Sequence, residues 1–197
     1  MPESDHIITF PKGNHRYPKG IITHVVLITK SPHKTGATME NINRITSFDV
    51  DHDFIVPGMY ISRIDGDIVT YDLRTRRPNA DDFMDDLTVH SVEHMLATFA
   101  RNSALSEKVI YFGPMGCRTG FYLLMRDCDH GTAYGLVKEI LKKTIDHDGE
   151  IFGNTRTECG NYKELSLESA KAECRRYLEA LLARERNGKA DFIYDKE

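Results

Sequence analysis

His90, Glu93 and His94 stand at positions i, i+3 and i+4 of the run from residue 86 to residue 102, DLTVHSVEHMLATFARN. If that run is a helix, residues four apart stack one turn above the other, so both imidazoles lie on one stripe and can grip a single metal ion. Glu93 falls about 60° from His90 around the axis, so its carboxylate leans over the same stripe without having to be a ligand. Ala97, next on the stripe, is small enough to leave room above the site. Val89, Val92, Met95, Leu96 and Phe99 gather on the opposite side, which supplies the apolar face that a docked helix requires. Histidines four apart are also ordinary on a polar helix surface, so the metal reading needs a third ligand from elsewhere in the chain.

The four cysteines, Cys117, Cys128, Cys159 and Cys174, are too sparse for a disulfide scaffold, and cytosolic thiols stay reduced. Cys117 lies in the glycine-rich loop 113–120 next to Arg118, where positive charge favours a thiolate. Cys159 lies in the polar loop 155–161. Cys128 and Cys174 read as small buried hydrophobes. Two imidazoles and one thiolate leave the fourth position open for water or substrate, as catalytic rather than structural metal sites do. Cys159 is our choice of third ligand, although a ligand delivered from a distant loop leaves no local spacing to read. A metal held in this way acts as a Lewis acid on a carbonyl or hydroxyl, and Glu93 next to it can move protons. Residue types alone leave the substrate open. His6, His15, His24, His33, His130 and His147 read as surface or loop residues.

These side chains need elements to hold them. A chain of 197 residues with 40% hydrophobic and 28% charged content and a net charge of −4 describes a soluble globular protein of one domain. Its scattered Lys and Arg give no reason to expect nucleic acid, and no apolar stretch is long enough to span a membrane. Glu3, Asp5 and His6 do not form the start of a signal peptide, so the expected compartment is the cytoplasm. Residues 1–38 read as an N-terminal extension punctuated by Pro11, Pro18 and Pro32, with one β-prone run at 21–29. The catalytic body is expected over 39–197.

Within that body, Asp65-Gly66 between two β-rich runs, 58–64 and 68–74, signals a hairpin. In the second run, Ile68, Thr70, Asp72 and Arg74 share the more polar face, with Arg74 at its end. Strands are expected at 108–112 and 121–125, and helices over 86–102, 132–146 and 166–186. Asp85, Asp86 and Thr88 are candidates to cap the first helix. The resulting class is α+β, an antiparallel sheet of about four strands packed against helices.

From Met39 to Leu182 the chain is similar to the LuxS family, the S-ribosylhomocysteine lyases. The likeness rests on Ser47-Phe48 followed by Asp51-His52, on Tyr71-Asp72-Leu73-Arg74, and on His90-Ser91-Val92-Glu93-His94. It continues through the run PMGCRTGFYL at 114–123 and Glu158-Cys159-Gly160-Asn161, in the family's order. Gly113 departs from the Ser carried by other members, and residues 1–38 have no family counterpart. The resemblance implies that His90, His94 and Cys159 hold one iron(II) ion per subunit, which zinc or cobalt can replace. It implies that Glu93 and Cys117 are the general acid/base residues. Ser47, His52 and Arg74 correspond to residues that reach the substrate from the partner subunit of a homodimer. The implied reaction cleaves S-ribosylhomocysteine to homocysteine and 4,5-dihydroxy-2,3-pentanedione, a quorum-sensing autoinducer precursor.

A second enzyme class also uses His-x-x-Glu-His: the inverted zinc metallopeptidases, whose glutamate activates a metal-bound water. They need a distant carboxylate as third ligand and a larger body around the substrate. Cys159 separates the two readings, because only the lyase requires a thiolate at the metal.

Overall fold

The sheet is organised by the hairpin between β1 (Gly58–Asp65) and β2 (Ile68–Arg74). Asp65 pairs with Ile68, so the turn residues are Gly66 and Asp67, one step beyond the pair read from sequence. Gly66 has φ +64, the positive value a type II′ turn demands of its first central residue and glycine supplies without strain. β3 (Val109–Pro114) and β4 (Gly120–Arg126) complete an antiparallel sheet of order β1-β2-β4-β3. The computed structural model describes residues 50–190 and 192–194. Ser47, the β-prone run at 21–29 and the expected extension 1–38 lie outside the described residues.

Period-two alternation divides the strands between two environments. Tyr71 and Leu73 of β2 join Phe121, Leu123 and Met125 of β4 in the core. Asp72 and Arg74 face the other way, but that face is not solvated: they are only 2% and 3% exposed. Two residues apart on one strand face, they bond each other, and the register sets Tyr60 and Tyr122 on the strands either side of Asp72. This pairing makes burial of the charges on the more polar face tolerable.

Three helices pack onto the sheet: α1 (Asp86–Arg101), α2 (His130–Asp146) and α3 (Leu167–Arg186). α1 is capped by Asp85, whose side chain accepts from the Thr88 backbone N–H at 2.7 Å. It buries Val92, Met95, Leu96 and Ala100, while Val89 and Phe99 pack at the core's edge. The stripe of His90, Glu93 and His94 is left half-buried on its other side. Ser91, beside His90, donates to Leu87 O and accepts from the backbone N–H of Ser166, the N-cap of α3. That second bond fixes the start of α3 against α1. Arg76 adds a further tie, pairing with the buried Glu173 of α3 and with Asp82.

α2 starts at His130, ahead of the periodic apolar signal, because Asp129 caps it. His130 is not the surface residue its sequence suggested: its Nδ1 lies 2.8 Å from the hydroxyl of the buried Tyr71. Cys174 is buried as expected, and burial pushes its thiol up to about 12. Cys128 departs from expectation, standing half-buried where β4 passes into α2. Among the described residues, no helix is long and apolar enough to cross a membrane.

The Asp129 carboxylate is held below the usual range by hydrogen bonds from the Thr132 hydroxyl and backbone N–H. A depressed carboxylate contributes stability above its ordinary titration range and loses that contribution as pH falls through it. Asp129→Ala is therefore expected to cost about 1 kcal/mol in urea unfolding at neutral pH. The difference from the unsubstituted protein should vanish in acid.

Candidate metal centre

The metal-gripping stripe of α1 meets the connection between α2 and α3. Phe152 anchors that connection by packing its ring against Phe99 of α1 and His147, with ring centroids 5.2 and 4.9 Å away. His147 is thus part of an aromatic cluster rather than a free surface residue. With Phe152 fixed, its carbonyl lies 2.7 Å from His94 Nδ1. Gly153 follows with φ +68, and a Cβ there would stand 2.8 Å from the same Nδ1. Both the backbone conformation and the close approach call for glycine. Further along, the Glu164 carbonyl lies 3.0 Å from His90 Nδ1.

A carbonyl oxygen only accepts, so each Nδ1 carries its ring proton and each Nε2 presents a lone pair. Imidazoles that ligate metals are oriented by such outer partners. Cys159 completes the arrangement, with Sγ 3.3 Å from His90 Nε2 and one ligand atom from each of His90, His94 and Cys159 within 4.8 Å of the others. Ligands sharing a tetrahedral ion, with bonds near 2.0 Å to nitrogen and 2.3 Å to sulfur, stand about 3.5 Å apart. The three side chains therefore fit one cation. The imidazole rings lie nearly perpendicular, 88° apart, with centroids separated by 4.5 Å. The Asn161 backbone N–H approaches Cys159 Sγ at 3.4 Å and offers a donor to a thiolate.

Glu93 is half-buried on α1 between the two histidines in sequence, and among the described residues no hydrogen-bond donor meets its carboxylate. Among the described residues no carboxylate joins the cluster that can hold a metal, so the third donor found there is a thiol and not the carboxylate of the inverted peptidases.

Cys117 is exposed at the tip between β3 and β4, outside the ligand group. Its Sγ lies 3.1 Å from Thr119 Oγ1 and 3.7 Å from Arg74 Nη1. Arg74, not the sequence neighbour Arg118, is the cation at this thiol. Arg118 instead reaches Asp86 at 3.1 Å and covers the Phe83 ring. Arg74 fills its fork with Asp72 and donates Nη1 to Thr119 Oγ1 at 2.7 Å. His52, half-buried in the 3-10 turn His52–Phe54, donates its Nδ1–H to Val50 O at 2.9 Å. The Asp72 carboxyl is pushed up by burial, and Arg74, Tyr194 and, least, His52 oppose that shift. Ser47 lies outside the described residues.

Asp72, Thr119 and Gly153 were missed by sequence reasoning. The spacing of Asp72 two residues before Arg74, and of Thr119 two residues after Cys117, carried the signal for the first two. Gly153→Ala is expected to weaken metal binding at least tenfold, read by competition with a chromogenic chelator, while the far-ultraviolet dichroism of the helices stays unchanged. Unaltered affinity would mean that the Phe152 carbonyl does not orient His94.

Comparison with known proteins gives the site a family. A family model described as S-ribosylhomocysteinase (LuxS) matches residues 45–188. An S-ribosylhomocysteine lyase of Finegoldia magna is 43% identical over 145 residues, covering 71% of this chain and 92% of that protein. That of Borreliella burgdorferi is 40% identical over 146 residues, covering 71% and 93%. That of Clostridium acetobutylicum is 43% identical over 135 residues, covering 66% and 85%. With the matched residues carrying the His90, His94 and Cys159 cluster, this chain belongs to the S-ribosylhomocysteinase (LuxS) family.

Proposed function

We propose that this chain is a carbon–sulfur lyase that cleaves S-ribosylhomocysteine to homocysteine and 4,5-dihydroxy-2,3-pentanedione, the precursor of a quorum-sensing autoinducer. The observation that carries the reading is the convergence of His90, His94 and Cys159 in a chain matched to this family over residues 45–188. His90, His94 and Cys159 would hold an iron(II) ion, replaceable by zinc or cobalt, which would supply Lewis acidity toward the carbonyl groups of the substrate.

The protons are moved by the protein. Cys117 and Glu93 take a proton from the carbon beside a carbonyl and return one to the former carbonyl carbon, so the carbonyl migrates along the chain. When the ketone lies two carbons from the one bearing sulfur, removal of the intervening proton breaks the C–S bond and expels homocysteine. No oxidant or water is consumed, because the two products together contain the atoms of the substrate. Arg74 Nη1 lies 3.7 Å from the Cys117 Sγ, so a fixed cation faces the thiol assigned to move protons.

Ser47, His52 and Arg74 are assigned to substrate contacts reached across a homodimer interface, giving two sites per dimer. The catalytic body is assigned to residues 39–197 and the reaction to the cytoplasm.

The reading is tested by purifying the protein anaerobically, loading it with iron(II), and following thiol release from S-ribosylhomocysteine with a chromogenic disulfide. Stoichiometric release of homocysteine is expected. Glu93→Gln and Cys117→Ser should each lower kcat by about 10²-fold or more while the bound metal stays in place. Full turnover in either variant contradicts the role assigned to that residue, and absence of thiol release from the loaded protein contradicts the reaction.

A further inference from the structure

Past Gly188, where the family match ends, the chain folds back over the sheet face that carries Asp72 and Arg74. The Phe192 carbonyl accepts from the Ile61 backbone N–H at 2.8 Å, so this segment bonds β1 along the sheet edge. Phe192 has φ +62, a conformation that bulky residues rarely adopt. Its ring packs against His130 and Tyr134, with centroids 5.7 and 5.8 Å away. Two residues on, the Tyr194 ring stacks on Tyr60 at 4.6 Å, tilted by 15°. Its hydroxyl donates to Asp72 Oδ2 at 2.9 Å. An edge hydrogen bond, a constrained backbone and a ring stack thus converge to deliver one hydroxyl to a buried carboxylate.

That carboxylate is the one that orients Arg74. Asp72 Oδ1 accepts from Arg74 Nε at 3.1 Å and Oδ2 from Nη2 at 2.5 Å. The fork leaves Nη1 directed to Thr119 Oγ1 and Cys117 Sγ. We infer that residues 192–194 act as a strap, and that Tyr194 is a positioning residue holding Asp72 so that Arg74 presents its charge to the Cys117 thiol. The inference rests on the proposed use of Cys117 as an acid/base group for its catalytic meaning. Its physical reasoning is independent of the substrate. A donor on Asp72 Oδ2 draws negative charge from the carboxylate, so less of the Arg74 charge is cancelled at Cys117. It also removes the carboxylate's freedom to swing, and with it the freedom of the guanidinium.

Tyr194→Phe keeps the ring and its stack on Tyr60 but deletes the hydroxyl. The test is carbamidomethylation of the folded full chain with iodoacetamide at neutral pH, with each thiol followed by peptide mass spectrometry and Cys128 as internal reference. Cys117 is expected to react about three- to fivefold more slowly in Tyr194→Phe, with Cys128 unchanged. General loosening of the fold would instead leave Cys117 unchanged or accelerate both thiols, and either result overturns the strap. A chain ending at Gly188 should show at least the same selective loss if it folds. If it does not fold, the Tyr194→Phe measurement decides alone. Kinetics on S-ribosylhomocysteine separate the two levels: slower alkylation with unaltered kcat keeps the strap and removes Cys117 from the chemistry, whereas unaltered alkylation removes the strap whatever the turnover.

Discussion

Two backbone carbonyls decide what α1 can do. By accepting from the Nδ1–H groups of His94 and His90, the carbonyls of Phe152 and Glu164 fix both tautomers and leave the two Nε2 lone pairs available to one cation. Much of the surrounding structure keeps those carbonyls in place. Phe152 is wedged between Phe99 and His147, Gly153 lets the chain pass close under His94, and Ser91 binds the backbone of Ser166 just after Glu164. The same connection delivers Cys159, so the orienting partners and the third donor come from one segment. The segment that orients both imidazoles also brings the third donor, so the stripe of α1 can offer three ligand atoms to one ion.

The second constraint is the buried pair of Asp72 and Arg74. Such a pair gains little over an apolar isostere, whereas removing one member strands the other and costs about 3–5 kcal/mol. Its presence at the end of β2 is therefore better explained by what it does than by the stability it adds. Burial pushes the Asp72 carboxyl above the usual carboxylate range, against the opposing influence of Arg74 and Tyr194. Tyr122, facing Asp72 across the strands, has its hydroxyl pushed up by burial and then by the Asp72 charge. The outer sheet face is thus a charged, aromatic-lined platform under an exposed thiol, and it differs in kind from the apolar inner face.

Local pattern made much of this legible in the sequence. The i, i+4 histidines follow from helix geometry, the apolar faces of three helices from period 3.6, and the hairpin from a glycine that tolerates positive φ. Cys159 could be chosen only by residue type and resemblance, because a loop ligand 69 residues from His90 leaves no spacing to read. The carbonyls of Phe152 and Glu164 were illegible, since every residue has one and only the fold selects which is used. Arg118 was the reasonable cation for Cys117 by sequence proximity, yet the pairing of Arg74 with Gly120 brings Arg74 to the thiol across the sheet. Asp72 could be read only as part of the more polar face, because alternation tells which face a residue shares but not what later covers that face. Here the cover includes Tyr194, 122 residues further along the chain.

The central claim is that two imidazole nitrogens and the Cys159 sulfur meet on one ion. X-ray absorption at the metal edge of the loaded, substrate-free protein measures this directly. We predict one sulfur scatterer near 2.3 Å and two imidazole nitrogens near 2.0–2.1 Å for the zinc form, with the sulfur shell absent from Cys159→Ala. A spectrum with nitrogen and oxygen neighbours alone, unchanged by that substitution, would contradict the account.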